Sequence, residues 1–114
     1  MTSTSLIVAR LRGDGTQDVS RLFAESDAGE LPHALGVRQR RLYRYQDLYF
    51  HFVEFTGDSR DALGQAGARA DFRRLSDELA EYIAPYDPLT WRGPADAMAR
   101  EFYTYDATAG VVRR

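Results

Sequence analysis

An arginine and a histidine on two adjacent β-prone runs of this sequence could together do acid–base chemistry. The run VRQRRLYRY (residues 37–45) contains Arg40, and the run LYFHFVEF (residues 48–55) contains His51. Two polar residues, Gln46 and Asp47, separate the runs, which predicts an antiparallel hairpin with a two-residue turn. In that register Arg40 lies diagonal to His51 on the same face, at roughly 7–8 Å between the backbones and within reach of long side chains.

The proximity of these two side chains determines what the histidine can do. A neighbouring positive charge and burial both disfavour the protonated imidazole, and a neutral imidazole at pH 7 can act as a general base. A buried arginine needs a carboxylate partner, which Asp27 or Glu30 can supply from the end of the first helix, and His33 follows in the same loop. The pattern alone leaves a plainer interpretation open, in which His51 is a hydrogen-bonded core residue and Arg40 a salt-bridge partner.

The alternation of side chains along the hairpin gives the sheet two different faces. One face combines polar candidates with apolar residues, namely Arg40, Leu42, Arg44, Tyr49, His51 and Val53. The other face collects Arg41, Tyr43, Tyr45, Phe50 and Phe52. The first face predicts a semi-buried cleft, in which Tyr49 and Arg44 are candidate substrate contacts. The second face is too apolar to leave in water, so we expect a homodimer that covers it.

The elements that hold these residues follow from periodicity and turn signals. Val19, Leu22 and Phe23 repeat at i, i+3 and i+4, which predicts an amphipathic helix. A second apolar stripe from Phe72 predicts a helix that ends before Pro85. The predicted elements are strand 5–11, helix 16–27, strand 37–45, strand 48–56, short helix 59–66, helix 70–84 and strand 98–106. This β-α-β-β-α-β order predicts a single α+β domain over residues 1–114. We expect a ferredoxin-like fold with a four-stranded antiparallel sheet, which assembles as a dimeric α+β barrel.

The composition argues against several other classes of function. The 114 residues include no cysteine and two well-separated histidines, so we expect no metal site. The net charge of -2 is unfavourable for nonspecific binding of nucleic acid. No run of about 18 apolar residues predicts a transmembrane helix, and the N-terminus lacks the pattern of a signal peptide. We therefore expect a cytoplasmic protein that binds neither nucleic acid nor a membrane.

Two further interpretations use the same central strand. RNA-recognition modules share the element order and carry an aromatic motif on their third strand. LYFHFVEF matches that motif at Phe50, Phe52, Val53 and Phe55, but it lacks the motif's basic residue and two glycines. The other interpretation is a non-catalytic dimer that binds or shields a hydrophobic small molecule in the same cleft. It differs from the catalytic interpretation only because it does not require His51.

Three segments of the chain together resemble a known family. They are LIVAR (residues 6–10), ELPHALGVRQRRLYRYQDLYFHFVEF (residues 30–55) and LAEYIAPYDPLTWRGPADAMAREFYTYDA (residues 79–107), so the likeness spans nearly the whole chain. The sequence resembles the small aromatic polyketide cyclases of actinomycete type II pathways, which include the tetracenomycin-type, spore-pigment and angucycline cyclases. DLYFH and YDPLTWRGPADAMA are the most specific parts of this match.

The resemblance implies a cofactor-free dimer that closes a late ring of an aromatic polyketide by intramolecular aldol condensation and dehydration. The strand histidine and the arginine on the neighbouring strand, the family's usual catalytic candidates, correspond to His51 and Arg40. The family's acidic residue after the first helix corresponds to Asp27. Some members have a histidine just before that aspartate, where this chain has Ser26. Some also carry arginine and histidine where this chain reads GAR, and Arg69 is the candidate to take over that polar role.

The hairpin pattern and the resemblance together give each candidate an expected role. His51 is the expected base, because the methylene between two ketones is already acidic, and Arg40 is expected to stabilise the developing oxyanion. The expected substrate contacts are Tyr49, Arg69, Arg44 and His33. The expected partners are the aromatic polyketide intermediate, a second copy of the chain and, transiently, the polyketide synthase or its acyl carrier protein. No metal or other cofactor is expected.

Overall fold

A four-stranded antiparallel sheet with helices packed against one face forms the fold, seen in a computed structural model that describes residues 2–92, 94–108 and 110–113. The strands of this sheet are β1 (Ser3–Leu11), β2 (Val37–Tyr45), β3 (Leu48–Phe55) and β4 (Ile83–Pro85). The helices are α1 (Thr16–Asp27), α2 (Leu31–Leu35), α3 (Ser59–Ala66) and α4 (Ala70–Leu79). A 3₁₀ turn (Pro94–Ala97) and two further strands, β5 (Tyr103–Asp106) and β6 (Gly110–Arg113), complete the described elements. None of the described helices is long and apolar enough to cross a membrane.

The strand order, β2-β3-β1-β4, is the ferredoxin-like order expected from the sequence. β1 pairs antiparallel with β3 on one side and with β4 on the other. The inner face of the sheet packs against the helices through one buried cluster of Ala9, Leu11, Val19, Leu22, Phe23, Leu31, Tyr49 and Leu75. The apolar stripe of α1 therefore lies on the core, as its i, i+3, i+4 spacing predicts.

The hairpin of β2 and β3 has the register that a two-residue turn at residues 46–47 predicts. Tyr45 pairs with Leu48 and Leu42 pairs with His51. Gln46 takes a φ of 56°, in the left-handed region that usually favours glycine, so a non-glycine residue closes this turn at some conformational cost. The backbone oxygen of Asp47 accepts a 2.7 Å hydrogen bond from the amide of Leu11, which ties the turn to β1.

The prediction of a helix over residues 70–84 is wrong at its C-terminal end. The helix stops at Leu79, and Ile83–Pro85 forms the fourth strand of the sheet, with Ile83 opposite Leu11. Tyr82 and Ile83 still pack against the core, so the apolar stripe that suggests a longer helix is satisfied by a turn and an edge strand instead. Pro85 is compatible with this position because an edge strand can spare one backbone donor.

The prediction that residues 98–106 form the last strand of the sheet is also wrong. β4 already occupies the edge of β1 at residues 9–11, so the later segment cannot pair there. Met98 makes one isolated antiparallel bridge to Ile7, and the Ala99 amide donates to the Leu6 oxygen at 2.6 Å. Residues 103–106 pair with residues 110–113 in a separate two-stranded sheet.

The outer face of the main sheet carries aromatic side chains, as the alternation along the hairpin predicts. Tyr43 and Tyr45 are 51% and 66% exposed, whereas Phe50 and Phe52 are half-buried. Large exposed side chains also occur on and just before β5, at Phe102, Tyr103 and Tyr105. The inner and outer faces therefore differ, because the polar candidates of the hairpin lie on the side of the helices.

Candidate active site

A cavity of about 360 Å³ lies between the inner face of the sheet and the helices. Alternation along β3 directs every second side chain into it, namely Tyr49, His51, Val53 and Phe55. Helices contribute apolar walls that include Phe23, Leu31, Phe72 and Leu79. Its size is in the range of pockets that bind small molecules, and its walls are mainly apolar, so an extended hydrophobic ligand is a suitable occupant.

Three charged or polar side chains form a continuous hydrogen-bonded chain at one side of this cavity. The Arg40 guanidinium holds the Asp27 carboxylate with two nitrogens: Nη2 lies 2.8 Å from Oδ1 and Nε lies 3.0 Å from Oδ2. Its third nitrogen, Nη1, lies 2.8 Å from Nε2 of His51. Arg40 is 13% exposed and Asp27 is 36% exposed at the side chain, so the pair is partly shielded from water. The carboxylate partner expected for a buried arginine is therefore Asp27 rather than Glu30.

The chemistry of guanidinium fixes the proton arrangement on the imidazole. Guanidinium has five N–H donors and no acceptor, so Nε2 of His51 must accept from Arg40. Burial first, and the positive charge of Arg40 second, lower the pKa of His51 from 6.5 to about 3. The ring is consequently neutral at pH 7 and carries its proton on Nδ1. The neutral state agrees with the expectation from the sequence. The lone pair on Nε2, however, already accepts a hydrogen bond from Arg40.

Aromatic side chains support this polar chain from two sides. The Phe23 ring meets the His51 ring in a T-shaped contact with centroids 5.0 Å apart, and the Arg40 guanidinium lies 4.8 Å from the Phe23 centroid. Phe23 and Asp27 are four residues apart, so the last turns of α1 present both to Arg40. Burial raises the pKa of the Tyr49 hydroxyl, although Arg40 opposes that shift, so Tyr49 remains a neutral donor.

The structure brings together only part of the set of residues predicted as a site. Arg40, His51 and Tyr49 line the cavity, and Asp27 contacts Arg40 without lining it. The three other candidates, Arg44, Arg69 and His33, are not among its lining residues.

Each of these three residues has a different local environment. Arg44 shares the face of Arg40 but is four positions further along β2, where it bonds Asp14 at 3.0 Å. Arg69 precedes α4 and bonds Asp71 with Nε at 3.0 Å, and His33 is exposed on α2. Their expected role as substrate contacts therefore has no support in this cavity.

Most of the residues that line the cavity were not predicted as site residues, and three of them, Phe23, Trp91 and Ser5, show why. Phe23 belongs to the apolar stripe of α1, and such a stripe indicates core without indicating a ligand contact. Trp91 comes from the loop after β4, where no periodicity applies. Ser5 stands on β1, and its side-chain direction follows from the pairing of β1 with β3, which the sequence did not specify. In the described part of the chain, no group of three or more histidines, aspartates or glutamates is placed to hold a metal ion.

Comparison with known proteins agrees with the fold. Residues 3–106 match the family of polyketide synthesis cyclases, and the chain belongs to this family. It is 35% identical to tetracenomycin F2 cyclase of Streptomyces glaucescens over 107 residues, or 94% of this chain and 97% of that protein. It is 42% identical to polyketide synthase CurG of Streptomyces cyaneus over 102 residues, or 90% of this chain and 95% of that protein.

A solved structure gives the same result in three dimensions. Tetracenomycin F2 cyclase from Streptomyces glaucescens, described as a type-II polyketide cyclase, superposes with a TM-score of 0.84 at 34% identity. The match covers 92% of this chain and 98% of that one. Family, relatives and structure together indicate a polyketide cyclase.

Proposed function

We propose that this protein closes a late ring of an aromatic polyketide intermediate by intramolecular aldol condensation and dehydration, without a cofactor. The observation that carries the proposal is the Asp27–Arg40–His51 chain, in which a fixed cation meets an otherwise apolar cavity. The proposed reaction starts when a methylene between two ketones loses a proton. The enolate carbon then attacks another carbonyl carbon of the same molecule. The new alkoxide takes up a proton, and loss of one water gives the aromatic ring.

Arg40 is the residue that we propose to act on the reacting oxygen. Among the described residues, Asp27 engages two of the five N–H groups of Arg40 and His51 engages one, so two remain for a substrate. A positive charge held at the carbonyl that is attacked stabilises the negative charge that develops there, and it does so more strongly in a mainly apolar cavity than in bulk water. Asp27 and His51 hold the guanidinium in one orientation and are positioning residues in this proposal.

This assignment gives His51 a role different from the base expected from the sequence. An imidazole with a pKa of about 3, whose Nε2 lone pair already accepts from Arg40, is a weak base at pH 7. The methylene between two ketones is acidic enough to lose its proton to water at the cavity opening. The cavity then contributes by folding a flexible chain so that one carbon meets one carbonyl carbon.

Three variants separate the positioning role of His51 from the base role. Arg40→Ala removes the cation, and we expect cyclised product to form about 100-fold more slowly. His51→Ala removes one charge-assisted hydrogen bond, and we expect a loss of roughly tenfold. His51→Gln places an amide oxygen near the former Nε2, where it can accept from Arg40 but cannot act as a base, so most of the rate should return.

The measurement is product formation from the linear or partly cyclised intermediate in a reconstituted pathway, followed by chromatography. Circular dichroism checks that each variant is folded. If His51→Gln is as slow as His51→Ala, a base role for His51 is the better explanation. If both Arg40→Ala and His51→Ala leave rate and product unchanged, the protein is instead the non-catalytic binder of a hydrophobic polyketide.

We also propose that two copies associate through the outer face of the sheet. The support is its exposed aromatic surface, which includes Tyr43 and Tyr45. Analytical ultracentrifugation should give about twice the chain mass of 12.9 kDa. Tyr45→Glu should shift the protein to monomer, whereas Leu89→Glu, in a fully exposed loop position, should not. A monomeric wild-type protein at tens of micromolar would contradict the dimer.

A further inference from the structure

A buried hydroxyl on β1 has no partner in the part of the protein that the structure describes. Ser5 is 5% exposed, its Oγ has no hydrogen-bond partner among the described residues, and its side chain lines the cavity. Buried polar atoms are nearly always hydrogen-bonded, so an unpaired hydroxyl inside a ligand cavity is unusual. A hydroxyl is both a donor and an acceptor, and it can therefore bind a ketone oxygen or a phenolic hydroxyl.

The sheet register places this hydroxyl at a defined position relative to the polar chain. Ser5 pairs with Val53, and His51 pairs with Ile7, so Ser5 and His51 are diagonal neighbours on the inner face. Diagonal neighbours across antiparallel strands are roughly 7–8 Å apart. Arg40 reaches the same face from β2, on the far side of β3. Ser5 and Arg40 are thus two separate polar groups in a mainly apolar cavity, on strands that are separated by β3.

We propose that Ser5 is a substrate-binding residue that fixes how far the polyketide chain is inserted relative to Arg40. The inference rests on the proposed function, because it assumes that the substrate occupies this cavity. A poly-β-ketone carries an oxygen on every second carbon, so a chain with one oxygen at Arg40 presents further oxygens along the cavity. A hydrogen bond from Ser5 to one of them selects a single position of the chain. Ser5 therefore helps to decide which carbons are joined.

The test measures the dissociation constants of two fluorescent probes, naphthalene-2,7-diol and naphthalen-2-ol, for the wild-type protein and for Ser5→Ala. The four values form a thermodynamic cycle. We expect the second hydroxyl to improve affinity about fivefold in the wild type, the equivalent of one neutral hydrogen bond, and not in Ser5→Ala. The matched control is Ser76→Ala, which removes another hydroxyl at the cavity wall and should keep the gain. Urea unfolding should show Ser5→Ala to be at least as stable as the wild type, because it loses no hydrogen bond.

Three results would overturn the proposal: the same gain in Ser5→Ala, a marked loss of stability in that variant, or no binding of the diol to the wild type. The cycle needs no turnover, so its result is distinct from the fate of the catalytic proposal. If Arg40→Ala leaves cyclisation unchanged while the diol still distinguishes Ser5→Ala from the wild type, the catalytic proposal fails and the Ser5 contact stands. If Arg40→Ala slows cyclisation and the second hydroxyl improves affinity equally in the wild type and in Ser5→Ala, only the Ser5 contact fails.

Discussion

The neutral state of His51 makes the folding stability of this protein sensitive to acid in a defined range. In the unfolded chain the imidazole titrates with a pKa near 6.5, whereas in the folded protein the pKa is about 3. Between these values the unfolded state binds more protons than the folded state, so stability falls as the pH decreases. The stabilisation is fully present above pH 6.5 and is lost progressively as the pH approaches 3.

The size of this effect can be worked out for two convenient conditions. From pH 7.5 to pH 5, the linkage relation with these two pKa values gives a loss of about 2 kcal/mol in the free energy of unfolding. Asp71, whose pKa is lowered mainly by its hydrogen bond with Arg69, also loses stabilisation on acidification, so the wild-type value alone does not isolate the histidine. His51→Gln removes the titrating ring and retains an acceptor for Arg40. We expect this variant to lose about 2 kcal/mol less than the wild type.

Urea unfolding, monitored by circular dichroism, measures the free energy of unfolding of the wild type and of His51→Gln at pH 7.5 and at pH 5. His33→Asn is the matched control, because His33 is exposed on α2, and it should retain the wild-type pH dependence. Nitrogen NMR of the imidazole rings adds a direct check, since Nδ1 of His51 should carry the proton at pH 7. Equal losses in the wild type and His51→Gln, or a proton found on Nε2, would refute the assigned protonation state.

Three further predictions concern other parts of the molecule. Asp27→Ala should slow cyclisation roughly tenfold, because Arg40 loses its carboxylate partner. The control is Asp14→Ala, which removes a carboxylate that accepts from Arg44 outside the cavity and should leave the rate unchanged. Equal rates in the two variants would contradict the positioning role of Asp27. Gln46→Gly should raise the unfolding free energy in urea by up to about 1 kcal/mol, since φ is 56° there, and a loss would contradict the strain. Gly36→Ala should lower the unfolding free energy by about 1–3 kcal/mol, because φ is 73° and the added Cβ would lie 2.7 Å from the hydroxyl oxygen of Thr56. The control is Gly57→Ala, which has open space around the added Cβ and should show no such loss.

The hairpin could be predicted in detail because its register depends only on local information. A two-residue turn and the period of two place Arg40, Tyr49 and His51 on one face, and the structure has them there. The contact of Asp27 with Arg40 could be predicted as one of two options, because a partly buried guanidinium needs a carboxylate and few lie near the end of α1.

The C-terminal part could not be predicted because its pairing depends on competition for one strand edge. Ile83 fits an amphipathic helix and an edge strand equally well, and the choice is settled by the free edge of β1 at Leu11. Once β4 has taken that edge, Tyr103 and Tyr105 pair elsewhere. Ser5 was missed for a similar reason, since the non-local pairing of β1 with β3 decides which β1 side chains face the cavity.

The origin of Trp91 in a loop, while Arg40 and His51 stand on paired strands, has a consequence for redesign. The two polar residues are held by a ladder of backbone hydrogen bonds, which tolerates little movement. Trp91 reaches the same cavity from outside any helix or strand, where insertions and substitutions are better tolerated. The proposed catalytic cation and this loop contribution to the cavity are thus encoded in separate stretches of the gene. A library confined to the codons around Trp91 would vary the loop side of the cavity while Arg40 stays in place, and under the proposed function it would change which polyketides fit.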